Sequence, residues 1–182
     1  GFLAGARAQE EQLCHRSDLF AQLKLAKYFN PGHGEYIPER AALVTRGVRL
    51  LRAGAEDAFE PLEPVSVDVV SAAARHYGSV QEALADASMH DHLVATWKAV
   101  LAGVCAAGST VALLSALGCG AFNNPPREVG RALREALDSC VVGPFLKEVH
   151  VVIKEDHNSN GNNLRDFATG LGRPVDEQRA AP

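Results

Sequence analysis

Val111-Ala112-Leu113-Leu114-Ser115-Ala116-Leu117-Gly118-Cys119-Gly120-Ala121-Phe122-Asn123-Asn124-Pro125-Pro126 is the stretch that decides the fold class. Its unbroken apolar start, bounded by turn residues, reads as a strand buried on both faces, as in a parallel sheet. Gly118 to Asn124 is the exit loop, and Pro125-Pro126 followed by Glu128 and Val129 opens a helix, because proline is tolerated in a first turn. Strand, glycine loop and helix in that order suit phosphate binding: glycines let backbone amides approach an anion, and the helix adds its positive end. A Gly-x-Gly turn is common, so a plain strand-to-helix turn accounts for these residues equally well.

Working outward, Leu93, Trp97, Val100, Leu101 and Val104 fall at helical spacing between about Asp91 and Ala106, a stripe expected to lie on a sheet. Val65 to Val70 alternates as a strand does. Before it come two β-like runs, Ala42 to Thr45 and Val48 to Leu51, parted by Arg46-Gly47, and an acidic, proline-flanked stretch from Glu56 to Pro64. Ala6 to Phe29 reads as helical, with a break near Ser17-Asp18 that would cap a second helix, and Asn30-Pro31-Gly32-His33-Gly34 ends it as a loop. On the other side, an apolar strand, Val149 to Ile153, precedes Glu155-Asp156-His157-Asn158 and a Ser-Asn-Gly-Asn-Asn loop, with a short helix near Leu164 to Ala168. Strands alternating with helices indicate an α/β protein, with most strands parallel and helices on both faces. The expected organisation is one domain over 1–171 and a disordered tail over 172–182.

A chain of 182 residues is long enough for a substantial core. A net charge of −4 and the lack of any block of lysine and arginine argue against nonspecific nucleic-acid binding. A polyanionic ligand would therefore be held by loop amides and local groups in a concave site. Cys14, Cys105, Cys119 and Cys140 form no Cys-x-x-Cys pair, so neither a zinc site nor a disulfide framework is implied. Cys105 and Cys140 read as buried reduced thiols, which points to an intracellular chain, cytoplasmic or nuclear. The apolar segment from Val100 to Leu117 is interrupted at Gly103 and Gly108 and reads as helix then strand, not as a membrane span. His90 and His92, two apart, do not share a helical face and suggest surface or capping roles. Asp156-His157-Asn158 would lie at the ligand edge of the sheet, although a simple turn is the better reading.

The chain opens Gly1-Phe2-Leu3-Ala4-Gly5-Ala6-Arg7-Ala8-Gln9-Glu10-Glu11, a glycine-containing entry running into two adjacent carboxylates. Glutamates near a helix start are favoured by the helix dipole alone. Successive helical side chains point about 100° apart, so Glu10 and Glu11 are not expected to act on one atom.

These eleven residues resemble the signature of the microbial-type poly(ADP-ribose) glycohydrolases, in which three glycines precede Gln-Glu-Glu by a short spacer. Gly1 corresponds to the third glycine, and the first two precede the sequence. Leu117 to Pro126 resembles the same family, with Asn123 where glycine is usual. The resemblance implies a macro-domain-like three-layer α/β/α sandwich with a mixed central sheet, lacking its N-terminal strands in this chain. It implies hydrolysis of ribose–ribose O-glycosidic bonds in poly(ADP-ribose), as part of ADP-ribosylation reversal in the DNA damage response. Glu11 would protonate the departing ribose oxygen, with its pKa raised by partial burial beside the ligand, while Glu10 holds ribose hydroxyls. Gly118, Cys119, Gly120, Ala121 and Phe122 would hold the diphosphate, with Phe122 against the distal ribose, and Gly1, Phe2 and Gln9 would join the substrate site. No metal or cofactor is implied. The partners implied are poly(ADP-ribose), ADP-ribose and ADP-ribosylated proteins, with no sequence-specific nucleic acid and no membrane. Two rival readings use a similar pocket: a noncatalytic ADP-ribose reader, and a hydrolase of single ADP-ribose groups on protein side chains.

Overall fold

A computed structural model of the chain describes residues 9–25, 37–139, 145–154 and 161–174. They fall into two compact units, one drawn from Gly1–Tyr36 and Val44–Ser71, the other from Ile37–Leu43 and Ala72–Pro182.

In the first unit, helices α1 (Gln9–Arg16) and α2 (Leu19–Leu25) stand beside a hairpin of β1 (Ala42–Arg52) and β2 (Pro61–Ala72). The expected break at Ser17-Asp18 is present: Ser17 Oγ donates to Leu13 O at 2.6 Å and accepts from Leu19 N at 3.2 Å, closing one helix and opening the next. Asp18 ties this corner to the hairpin, accepting from Arg49 N at 2.9 Å and from Arg49 Nε at 3.0 Å. Cys14, Leu19 and Val48 form the buried centre, with Leu13, Phe20, Leu23, Val67 and Val69 packed around it. Ala42–Thr45 and Val48–Leu51 form one strand, not two. Gly47 takes a left-handed φ of +65° inside β1 and its N–H donates to Asp68 Oδ1 at 2.8 Å, so the glycine kinks the strand without ending it. The hairpin closes through Ala53 N donating to Glu60 O at 2.8 Å, and β2 takes in both Pro61 and Pro64.

In the second unit, α3 (Val80–Ala85), which the sequence reading did not anticipate, is capped by Ser79, whose side chain accepts from Glu82 N. Helix α4 (Met89–Ala107) ends at Gly108, with φ +80°. Its expected stripe of Leu93, Trp97, Val100, Leu101 and Val104 is buried throughout. The stripe's helix packs against α5 (Pro126–Ser139), and Trp97 Nε1 donates to Val129 O at 3.2 Å. Strand β3 (Val111–Leu114) pairs parallel with β4 (Glu148–Val151). Only alternate residues of β3 are buried: Ala112 and Leu114 point inward, whereas Val111 is 50% and Leu113 74% exposed. A continuous apolar run is compatible with either arrangement, and among the described residues only one face of this strand is packed. The described strands thus form two two-stranded sheets.

Helix α6 (Asn163–Leu171) closes on Gly172 at φ +72°, whose N–H donates toward Ala168 O and Thr169 O, while Arg173 N reaches Ala168 O at 3.1 Å. Gly172 and Arg173 thus complete the helix cap. α5 and α6 meet through glycines. A methyl at Gly130 would run into the backbone carbonyl of Phe167, and one at Gly170 into that of Arg127. The 30–34 loop, Asp156-His157-Asn158, Cys140 and residues 175–182 lie outside the described residues.

Beside α4, Arg75 bonds Glu39 Oε2 at 3.0 Å, Asp86 Oδ2 at 2.8 Å and Ser88 Oγ at 3.0 Å, and Tyr77 Oη donates to Asp86 Oδ2 at 2.8 Å. Hydrogen bonds from the Ser88 hydroxyl and amide, then from Tyr77 and Arg75, hold the Asp86 carboxyl well below the usual carboxylate range. His92 is not a surface or capping residue. It is 1% exposed, with Nδ1 3.5 Å from Arg75 Nη2, and burial followed by the charge of Arg75 lowers its pKa.

Two consequences are measurable. Gly170→Ala gains helix propensity of about 1 kcal/mol but forces a methyl into fixed backbone, so a net loss of about 1–3 kcal/mol is expected in denaturant unfolding. Asp86 is ionised more readily folded than unfolded. Its contribution is complete above the unfolded carboxylate value of 3.8 and is lost as pH falls below it. Asp86→Asn should therefore flatten the decline of the unfolding midpoint below about pH 4, read against wild type.

Candidate functional site

The glycine loop after β3 is built against residues 74–77. Cys119 N donates to Ala116 O at 3.1 Å, Asn123 N to Gly120 O at 3.0 Å and Asn124 N to Gly118 O at 3.0 Å, which folds the loop back on itself. Tyr77 N donates to Phe122 O at 3.1 Å. Asn124, 1% exposed, turns its Nδ2 on Arg75 O at 2.8 Å and on Gly118 O and Phe122 O at 3.2 Å each. These bonds leave the amides of Gly120, Ala121 and Phe122 with no acceptor among the described residues. Successive unengaged amides at a loop tip make a concavity suited to an anion.

The two glycines differ in what requires them. Gly118 has φ +72°, and a β-carbon there would lie 2.5 Å from both Ala74 Cβ and Asn124 Nδ2, so folding alone excludes a side chain. Gly120 has no positive φ, and a β-carbon added there would meet no atom within 4 Å. Among the described residues nothing demands glycine there, and a bare backbone leaves room for close approach by a ligand. Cys119 is buried and its thiol is pushed up to about 12 by burial, so it is a packing residue, not a nucleophile. Ala121 is exposed, and Phe122, 42% exposed, stands edge-on to His76 at 5.2 Å between ring centroids.

In the first unit, Gln9, Glu10 and Glu11 form the opening turn of α1. Gln9 and Glu10 are exposed and Glu11 is buried, as the 100° step between neighbours requires. The Glu10 carboxyl has its pKa raised, first by desolvation and then by the charge of Glu11. The same two carboxylates, after burial, help push the Cys14 thiol up to about 11. Gly1 and Phe2 lie outside the described residues.

The sequence points to the loop and the carboxylates as candidates but does not reveal what anchors the loop. Arg75 and Tyr77 contribute backbone groups, which no residue type advertises, and they act across more than forty positions. Asn124 was within reach, because a buried amide beside two prolines and two glycines is the side chain able to satisfy loop carbonyls.

No match was found among curated protein sequences. Residues 1–52 match the family described as the microbial-type PARG catalytic domain, PARG being poly(ADP-ribose) glycohydrolase. Among solved structures, the chain is similar to the poly(ADP-ribose) glycohydrolase of Deinococcus radiodurans in complex with ADP-ribose, at 26% identity and a TM-score of 0.75, covering 92% of this chain and 69% of that one. It is similar also to the enzyme of Thermomonospora curvata, at 27% identity and a TM-score of 0.73, covering 93% of this chain and 62% of that one. The Thermomonospora curvata enzyme bound to the inhibitor ADP-HPD matches at 27% identity and a TM-score of 0.71, over 93% of this chain and 64% of that one. Residues 1–52 are thus similar to the microbial-type poly(ADP-ribose) glycohydrolase catalytic domain, and nine-tenths of the chain shares its α/β fold with the two bacterial enzymes.

Proposed function

We propose that this chain hydrolyses the ribose–ribose O-glycosidic bond of poly(ADP-ribose) and releases ADP-ribose. The observation that carries the reading is the likeness, at 26–27% identity, to glycohydrolases solved with ADP-ribose and with ADP-HPD. The local chemistry agrees with it. Three unengaged amides at Gly120, Ala121 and Phe122, next to a glycine that folding does not require, fit a diphosphate, and the exposed Phe122 ring fits the face of a ribose.

In this mechanism the Glu11 carboxyl donates its proton to the departing ribose oxygen as the C–O bond breaks. The oxocarbenium-like centre is offset by the substrate's own diphosphate, and water attacks the anomeric carbon and releases a proton. Glu10 and Gln9 hold ribose hydroxyls, and Gly1 and Phe2 complete the substrate contacts. ADP-ribosylated proteins would be the physiological substrates, in an intracellular setting such as the DNA damage response.

The decisive experiment is chain shortening of poly(ADP-ribose). Glu11→Gln is expected to lower kcat by about 100-fold or more while ADP-ribose affinity stays within a few fold, because proton transfer is lost and binding is not. Glu10→Gln is expected to act mainly on KM, and the reverse pattern would exchange the two roles. Wild type that binds ADP-ribose without shortening the polymer would be a reader, and release only of single ADP-ribose groups from protein would make it a mono-ADP-ribosyl hydrolase. Gly120→Val tests the loop. Its side chain has room in the fold, so thermal stability should hold while ADP-ribose affinity falls by roughly tenfold or more, as a group enters the ligand's place.

A further inference from the structure

Asn123 has an unusual backbone and an unusual partner. Its φ of +56° lies in the left-handed region, where glycine is the ordinary occupant and asparagine the most tolerated side chain. Its Nδ2 donates to Tyr77 O at 2.8 Å. Tyr77 N already donates to Phe122 O at 3.1 Å, so both backbone groups of Tyr77 are taken by the loop. The Asn123 amide acts as a backbone donor would and adds a second rung to what is otherwise a single bond. Tyr77 is itself fixed: it is 4% exposed and its hydroxyl donates to Asp86 Oδ2 at 2.8 Å, a carboxylate that Arg75 and Ser88 also hold. The second rung therefore connects the loop tip to a rigid support.

We propose that Asn123 is a positioning residue that locks the Gly118–Phe122 loop in its ligand-ready shape, so that the amides of Gly120, Ala121 and Phe122 are aligned before an ADP-ribose diphosphate arrives. The proposal rests on the reading of this loop as the diphosphate holder. A loop already ordered loses less conformational freedom on binding, and the saving appears as affinity. Glycine at this position keeps the left-handed backbone but cannot donate to Tyr77 O. Asn123→Gly is thus a substitution that removes the lock without straining the fold.

The test has two readouts on wild type and Asn123→Gly. The first is amide hydrogen exchange over residues 118–124 without ligand, which should accelerate in the variant. The second is calorimetric titration with ADP-ribose, where Kd should rise roughly three- to tenfold, the scale of one hydrogen bond and the added freedom of glycine. On polymer, KM should rise by a similar factor with a smaller change in kcat. Unchanged exchange overturns the lock, and accelerated exchange with unchanged Kd overturns its role in binding. A lower melting temperature with unchanged Kd reduces Asn123 to a merely structural residue. If wild type itself fails to bind ADP-ribose, the functional reading fails at that step and takes this inference with it, and the titration separates that outcome from failure of the lock alone.

Discussion

The side-chain amide of Asn124 is the constraint on which the loop depends. Its Nδ2 meets the carbonyls of Arg75, Gly118 and Phe122, which belong to two segments almost fifty residues apart and to both ends of the loop. Gly118 O and Phe122 O also accept from Asn124 N and Tyr77 N, whereas the Asn124 side chain is the donor that Arg75 O meets, and a buried carbonyl left without a donor costs on the order of 1–3 kcal/mol. Once they are brought together, Gly118 has no space for a β-carbon, Phe122 is carried to the surface, and Tyr77 is brought within reach of Phe122 O. The unengaged amides of Gly120 to Phe122 are a consequence. Satisfying the carbonyl side of the loop internally leaves its N–H side at the tip.

The support beneath that amide is electrostatic. Arg75 contributes its carbonyl to Asn124 while its guanidinium is held by Asp86, Glu39 and Ser88, and Tyr77 contributes both backbone groups to the loop while its hydroxyl meets the same Asp86. Glu39 is largely exposed, and an ion pair of that kind contributes little by itself. The half-buried Arg75–Asp86 pair, braced by Ser88 and Tyr77, has more bonds and less water around it. The carboxylate therefore fixes the two residues whose backbones receive the loop. Side chains away from the loop tip thus help determine how its unengaged amides are aligned.

Much of this organisation was legible in the sequence because it follows from local rules. The α4 stripe, the Ser17 break, the separate β3 and β4 runs and the proline start of α5 each depend on residues within a few positions of one another. What was not legible depends on distant partners. Two β-like runs became one strand because Gly47 found Asp68 across the hairpin. The apolar run of β3 could not say that only alternate residues would be packed. His92 was read as a surface residue because its spacing from His90 says nothing of Arg75, seventeen positions away. Of the candidate site, the carboxylates and the glycine loop were visible as residue types, while the backbone groups that anchor the loop were not, since every residue carries the same amide and carbonyl.

The adjacent glutamates illustrate how little a carboxylate pair means until its geometry is known. A retaining glycosidase sets two carboxyls across the sugar, roughly 5–5.5 Å apart, as acid and nucleophile. Neighbours on one helix turn cannot face each other across a ring, and here one is buried while the other is exposed. Their coupling is repulsive instead and, after desolvation of the Glu10 carboxyl, adds to the raised proton affinity of Glu10. A helix start bearing such a pair is suited to supplying one proton and holding one set of hydroxyls, not to forming a covalent intermediate. In the proposed hydrolysis the negative charge that offsets an oxocarbenium-like state would then come from the substrate, so that a precise hold on its diphosphate would serve catalysis as well as binding.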